Sequence, residues 1–447
     1  EFHACDLNET HIHTARQRAS AFGISNVHFH HAAFQELQSR KLPAFDYIAV
    51  HGVYSWVAPE ARQAIRQIIA ERLEPGGLVY LSYNCLPGWM PEIPLRKLLL
   101  ELAAGQDGDT EQRVEYALQQ LKELSGGKLR YFKTHPSALA AIDSYVSGPA
   151  RYLIHEFLNQ TWEPFYSIDV ADEMAGIGTN YVGSATLPDN HPALLVPEQA
   201  GEAVARLATR RQRQIALDFA VDRRFRRDVF VRGPGSEEHP DSGRYLSDLA
   251  IGCLGDPDAI STQLRVPRGM ITFQNDFIRD LQTLMSRGSL TTEQAVASFG
   301  GKGKNNADIM RNLAFLVAGG VLMPFAKAIS VSGAAKAEPP ANRTIERMLD
   351  HVIERRMPPF LPSEVVGNGV PLTQVEALTI KAWLNGNRTE ETLAARLNSE
   401  VTRLGLEKTT SDRDAGPIAD AQSFARRAAR EALEKLLPNM LRLGLLA

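Results

Sequence analysis

The sequence predicts an α/β protein: a doubly wound sheet in the first hundred residues, then a mixed segment, then a mainly helical C-terminal half. Three observations carry this expectation. Two mainly apolar runs, Phe45–Val50 and Leu78–Ser82, flank a helix whose apolar residues Ala64, Ile65, Ile68, Ile69 and Leu73 recur at helical spacing. Strands buried on both faces and joined by a helix form a right-handed parallel unit. Strand-like and helix-like stretches alternate from Phe2 to Ser82, the order of a doubly wound sheet. Beyond Ser242 the apolar periodicity is helical.

Composition narrows the function classes. The chain has 447 residues and 44% apolar content, enough for about two to four domains of ordinary soluble character. A formal net charge of −3 gives no whole-chain attraction to nucleic acid or an anionic membrane. No apolar run reaches bilayer-spanning length, so no membrane insertion is expected. Cys5, Cys85 and Cys253 lie far apart with no paired spacing, which argues against a disulfide framework and a zinc site; a reducing, cytoplasmic location is the simplest reading. The first residue is Glu1, and strand-like Phe2–Cys5 follows it with no cleavable apolar segment ahead. The natural protein is expected to begin upstream.

The elements follow in order. Phe2–Cys5 runs into Asp6, and a helix over Glu9–Ala21 ends at Phe22-Gly23, where glycine takes a left-handed cap. Asp6 thus stands at the carboxyl end of a strand, where an acidic side chain either accepts hydrogen bonds from ribose hydroxyls or, with Asn8, caps the helix. Val27–His31 is the next strand. His28 and His30 share one face and His31 the other, so these three make a poor metal cluster, and no metal is expected. Ala32, Ala33 and Phe34 follow; small residues beside an aromatic suit a purine floor or ordinary packing. Phe45–Val50 ends at His51-Gly52, Pro59-Glu60 opens the central helix, and Glu74-Pro75-Gly76-Gly77 stops it before Leu78–Ser82. Ligands bind at the carboxyl ends of such strands, which singles out the loops His51–Trp56 and Tyr83–Trp89. A nucleotide site of this class normally has a glycine-rich turn after its first strand, and none precedes Asp6; Gly23 and Gly76-Gly77 sit at helix ends.

Glu92–Ala104, Glu111–Leu124 and Tyr131–Tyr145 read as helices. Tyr152, His155 and Glu156 either line a cleft or form a packed polar cluster. Arg210, Arg211, Arg213, Arg223, Arg224, Arg226 and Arg227 make the most basic stretch, expected to pair with nearby acids rather than with an acidic partner or RNA. The polar loop Gly233–Ser242 is the best domain boundary. Helices are expected over Phe273–Arg287, Thr291–Phe299 and Ala307–Ala318, and again over Gln374–Leu384, Thr389–Asn398 and Ala421–Leu437, two winged-helix-like bundles joined through Ser332–Asn342 with a loop at Lys408–Pro417. Neither candidate recognition helix carries a base-reading array, so nucleic acid is not an expected partner and a protein is.

Cys5-Asp6-Leu7, Ala32-Ala33-Phe34, the stretch from His51 to Arg62 and that from Leu73 to Trp89 resemble the class I S-adenosylmethionine-dependent methyltransferases that carry a methyltransferase regulatory domain. The resemblance continues through Arg151–Asn159, Trp162–Tyr166, Asp169–Ala171, Tyr181–Ala185, Leu217–Phe219 and Arg223–Arg227, about the first half of the chain. It implies a Rossmann-like methyltransferase sheet, truncated at its first strand, over residues 1–104. A regulatory domain over 105–232 follows, then winged-helix-like domains over 243–330 and 343–447. It also implies S-adenosyl-L-methionine as cofactor, held at Asp6, Leu7, Ala33, Phe34 and His51, with Tyr54 and Trp56 walling the acceptor pocket and Tyr83 and Asn84 positioning the acceptor. Some bacterial protein lysine methyltransferases resemble this family, which makes a protein lysine the leading acceptor. The rival reading is a non-catalytic scaffold that keeps the methyltransferase frame. Oligomeric state is not set by the sequence.

Overall fold

The computed structural model describes residues 1–126, 129–147, 159, 161–233, 249–300, 305–329, 343–404 and 420–446. Strands β1 (Phe2–Asp6) and β2 (Val27–His31) pair in parallel, with His3 opposite His28 and Asp6 opposite His31. Helix α1 (Glu9–Ala21) connects them; Asn8 caps it by accepting from Thr10 N at 2.9 Å. Strands β3 (Phe45–Val50) and β4 (Leu73–Asn84) form the second parallel pair around α3 (Pro59–Arg72), which buries Ala64, Ile65, Ile68 and Ile69. β4 starts five residues before the expected strand because Leu73 already pairs with Phe45; a register shift between Phe45 and Tyr47 accommodates the intervening turn residues.

The sheet does not end with the first hundred residues. β6 (Phe225–Arg232) lies antiparallel to β4, and β5 (Thr179–Ser184) antiparallel to β6, giving the order β3-β4-β6-β5. The expected boundary at residue 104 therefore divides two segments that share one sheet. Among the described residues no strand pairs with the second edge of β1 or of β3. Side chains join the two pieces: Leu37 of α2 (Phe34–Ser39), Leu42 and Ile68 pack against Cys5 and Phe45, and the His3 ring meets Phe45 edge-on at 5.4 Å.

The helix expected over Tyr131–Tyr145 is broken into Arg130–Thr134 and Pro136–Ser147. Pro136 forces the residue before it out of helical geometry, and His135 sits at φ −129°, ψ 73°. Helices Ile93–Ala104, Thr110–Gly126 and Pro136–Ser147 bury Leu95, Leu99, Val114, Leu121 and Ile142 together under Trp89.

The C-terminal half forms two apolar cores. Helices Asn275–Met285, Thr292–Gly300 and Asn306–Ala318 surround the first, roofed by a small sheet of Leu290–Thr291, Ala250–Gly252 and Met323–Phe325 and by the hairpin Gln263–Val266 with Gly269–Thr272. The second gathers helices Gln374–Leu384, Glu390–Leu404 and Ala421–Glu431 with the hairpin Phe360–Ser363 and Asn368–Pro371. The expected last helix loosens into a π turn over Ala432–Leu436, since Pro438 has no N–H to continue the ladder. Strands of two to four residues are too short for an alternating signal, and the sequence reading missed them, as it missed helix Arg343–Ile353. That helix docks back on α1: Arg347 donates to Ala21 O at 2.9 Å, Arg18 donates to Arg356 O at 2.6 Å, and Phe22 meets His351 at 5.0 Å. The linker Ser332–Asn342, the loop Lys408–Pro417 and residues 234–242 of the boundary loop lie outside the described residues.

Candidate active site

The carboxyl ends of β1 to β4 present Asp6, His31 to Phe34, His51 to Trp56, and Tyr83 to Trp89, where ligands of doubly wound sheets bind. Asp6 is not the helix cap, which is Asn8. Its Oδ1 accepts from Asn8 N at 2.7 Å and its Oδ2 lies 3.1 Å from His11 Nδ1, while its side chain stays 44% exposed. Each carboxylate oxygen carries a further lone pair for an incoming hydroxyl. Leu7 is exposed, and its carbonyl lies 3.0 Å from His31 Nε2. Ala32 N donates to Asp6 O at 3.3 Å, stitching the β2 end to the β1 end. Ala33 precedes α2, and Phe34 packs against the core around Val50 and Tyr54, so its ring is partly spent on packing.

At the end of β3, Gly52 takes φ +65°, a turn that L side chains resist, and its N–H donates to Ser82 Oγ at 2.8 Å. His51 is exposed, with Nδ1 at 3.0 Å from Tyr80 Oη and 3.3 Å from Ser82 Oγ. Tyr54 is fully buried. Its hydroxyl donates to Glu173 and accepts from Arg66 at 2.9 Å, and burial raises its pKa far above the usual phenol range. Trp56 is half-buried at the lip of this turn, its carbonyl accepting from Asn159 at 3.4 Å.

Tyr83 is also interior. It is 1% exposed and donates to Asp228 Oδ2 at 2.5 Å, and burial raises its pKa. Asp228 takes two further contacts from Arg226 Nε, at 3.1 and 3.0 Å, while Arg226 Nη1 donates to Asp218 at 2.7 Å and Nη2 to Tyr181 at 2.9 Å. Ser167 donates to Asp218 at 2.6 Å. This buried chain fastens the regulatory strands to β4. Tyr54 and Tyr83 are thus interior, their hydroxyls committed to the carboxylates of the partly exposed Glu173 and the buried Asp228.

Asn84 differs. It is 5% exposed; its N–H donates to Ser55 Oγ at 2.9 Å and its carbonyl accepts from Phe165 N at 2.9 Å. Its side-chain Nδ2 is enclosed with no partner among the described residues. The loop beyond is clamped: Cys85 N donates to Arg224 O at 2.8 Å, Gly88 N to Arg223 O at 2.9 Å, and Trp89 Nε1 to Arg224 O at 2.8 Å. A Cβ on Gly88 would stand 2.5 Å from Asp222 O, so close approach of two backbones requires the glycine. Burial pushes the Cys85 thiol far up, leaving it a packing group.

The arginine stretch resolves into internal partners. Arg211 pairs with Asp172, Arg223 with Asp189 at 3.0 Å, Arg224 with Glu92, and Arg226 with Asp218 and Asp228, while Arg210 donates to the carbonyls of Tyr181 and Val182. Tyr152, His155 and Glu156 lie outside the described residues. Ser55 and Asp228 were missed from sequence: one is a lone serine in a loop, the other an acid in an arginine-rich strand, and their partners lie 29 and 145 residues away.

Comparison with known proteins names this arrangement. Residues 1–79 match a methyltransferase domain, and residues 149–232 match a predicted methyltransferase regulatory domain. The chain thus carries a methyltransferase domain followed by a methyltransferase regulatory domain, which supports an S-adenosylmethionine-dependent methyltransferase. An uncharacterized protein of Synechocystis sp. is 29% identical over 382 residues, spanning 86% of this chain and 75% of that one. One of Rickettsia prowazekii is 26% identical over 231 residues, 50% of this chain and 40% of that one. The fold is similar to PKMT2 from Rickettsia typhi, with a TM-score of 0.66 at 17% identity, covering 99% of this chain and 89% of that one. The same protein in complex with AdoHcy gives 0.67 at 18% identity, covering 99% and 88%. β6 and β5 of the regulatory domain are thus structural members of the methyltransferase sheet, and the domain does more than flank it.

Proposed function

We propose that this methyltransferase transfers methyl to a protein acceptor, with a lysine side chain as the group that receives it. The observation that carries the reading is Asn84, whose side-chain Nδ2, enclosed and without a partner among the described residues, stands at the carboxyl end of β4, next to the half-buried Trp56 turn. A lysine amine must be held neutral, aligned and shielded from water to attack a methyl group in line. A carboxamide held by Ser55 and Phe165 on its own backbone is fixed well enough to direct such an amine, and Trp56 supplies an apolar wall for its stem.

The residues at β1 and β2 fit the adenosine half of S-adenosylmethionine. Asp6 keeps a free lone pair on each oxygen for the ribose hydroxyls, Leu7 and Ala33 leave room beside it, and the Phe34 ring edges the floor. His51 closes the β3 side. Among the described residues no glycine turn faces the methionine half. Bound S-adenosylmethionine supplies a methyl group already activated by its sulfonium, so the protein's own task is orientation and exclusion of water. PKMT2 of Rickettsia typhi, similar in fold and solved with AdoHcy, supports both the cofactor assignment and the protein acceptor.

The return of helix Arg343–Ile353 onto α1 supports a role for the C-terminal half in holding that protein acceptor beside the sheet. The test is methylation of intact acceptor proteins by the full-length enzyme and its Asn84→Ala variant, with cofactor affinity measured on both. Loss of turnover at unchanged cofactor affinity supports the assignment; equal turnover in the variant refutes it.

A further inference from the structure

The parallel register of β1 and β2 sets His3 opposite His28 and Cys5 opposite His30. His3 therefore joins the face that His28 and His30 share, a conjunction that the histidines of β2 taken alone do not reveal. Its ring lies 4.8 Å from that of His28 and 5.2 Å from that of His30, stacked on both. Glu1 Oε1 is 2.7 Å from His28 Nε2 and 3.5 Å from His3 Nε2. Ligand atoms of Glu1, His3 and His28 all lie within 4.8 Å of one another. Ligands around a tetrahedral zinc, each about 2.0 to 2.1 Å from the metal, stand roughly 3.3 Å apart, so shifts of an ångström or so gather these three around one ion.

The hydrogen bonding of His3 points the same way. Its Nδ1 lies 3.0 Å from His30 Nε2, its side chain is 14% exposed, and its Nε2 is enclosed with no hydrogen-bond partner among the described residues. A neutral imidazole has one donor and one acceptor nitrogen. If Nδ1–H donates to His30, Nε2 directs a lone pair at the Glu1 carboxylate and His28, an arrangement that a cation between them converts from repulsion into coordination. His30 then occupies the place of the partner that metal-bound histidines keep on their other nitrogen.

We propose that Glu1, His3 and His28 form a divalent metal site of the zinc type, with His30 orienting His3. Two imidazoles and a carboxylate suit zinc and its transition-metal neighbours and not the all-oxygen shells of calcium or magnesium. The site lies toward the amino ends of β1 and β2, three residues or about 10 Å along the strand from Asp6, away from the cofactor edge. Its effect is structural: two strands paired with each other alone are marginally stable, and the metal ties Glu1 and β1 to β2.

The test is calorimetric titration of the chelator-treated, full-length chain with zinc chloride, together with thermal unfolding and the visible absorption of the cobalt(II) form. One ion per chain, a rise in melting temperature and a tetrahedral cobalt spectrum are expected. His28→Ala, at a half-exposed position that tolerates truncation, is expected to lose stoichiometric binding, as is His3→Ala. His30→Ala is expected to weaken binding about 10- to 100-fold, as loss of a partner to a ligand does. His31→Ala, on the opposite face against Leu7 O, is expected to bind as the wild type does. No stoichiometric zinc, or equal binding by the His28→Ala variant, would overturn the proposal.

Discussion

Tyr83→Phe separates a supporting role for this residue from a place in the acceptor pocket. The substitution removes one hydroxyl from a site that is 1% exposed and leaves the ring in place. The lost bond, 2.5 Å to Asp228 Oδ2, is a hydrogen bond to a charged group, worth about 1.5 to 3 kcal/mol. Asp228 keeps its two contacts from Arg226, so the ion pair survives and the cost stays well below the roughly 3 to 5 kcal/mol of breaking a buried pair outright. For a cooperative unit of this size the loss corresponds to a fall in melting temperature of roughly 3 to 12 °C. Because Tyr83 and Asp228 join β4 to β6, the amides of both strands should exchange faster together. The measurement is urea unfolding and hydrogen exchange beside steady-state methylation. A stability change under about 0.5 kcal/mol, of the size typical at surface positions, combined with a large fall in turnover, would refute the supporting role and return Tyr83 to the pocket.

Asp6→Ala in the full-length enzyme is expected to weaken S-adenosylmethionine binding roughly ten- to a hundredfold by calorimetry with little change in melting temperature, since the removed bonds are to ligand and to a partly exposed turn. Gly88→Ala is expected to destabilise the loop after β4, because its Cβ meets Asp222 O and Arg224 at 2.5 Å; unchanged urea midpoint and unchanged tryptophan fluorescence from Trp89 would contradict this. Burial lowers the pKa of His191, which packs edge-on against Phe315 at 5.9 Å. The folded state thus binds fewer protons there than the unfolded chain, so its contribution to stability is full above the ordinary histidine value of about 6.5 and is lost as pH falls below it. His191→Gln should flatten that part of the pH profile in denaturant titrations. Truncation after Gly233 keeps every strand of the β3-β4-β6-β5 sheet and is expected to retain cofactor affinity while losing methylation of a protein acceptor; steeply salt-dependent duplex binding lost on truncation would instead indicate a nucleic-acid partner.

The sequence by itself determined the local elements whose signal is periodic. Phe45–Val50, Val27–His31, Glu9–Ala21 and Gln374–Leu384 have the expected bounds, because a buried strand or an amphipathic helix declares its buried face within a few residues. It also placed Asp6, Ala33 and His51 at strand ends, since alternation of strands and helices fixes which ends meet a ligand. Tertiary structure decided what depends on residues distant in the chain. β4 and β6 are separated by some 140 positions and pair as antiparallel neighbours, which joins two expected domains into one sheet. Tyr54 and Tyr83 read as loop and strand-end aromatics in the sequence, yet their hydroxyls face Glu173 and Asp228. The gathering of His28 and His30 around His3 follows from strand register. Periodicity encodes which face of an element is buried; the identity of what lies against that face is set by register and packing between elements, and those leave no trace in local spacing.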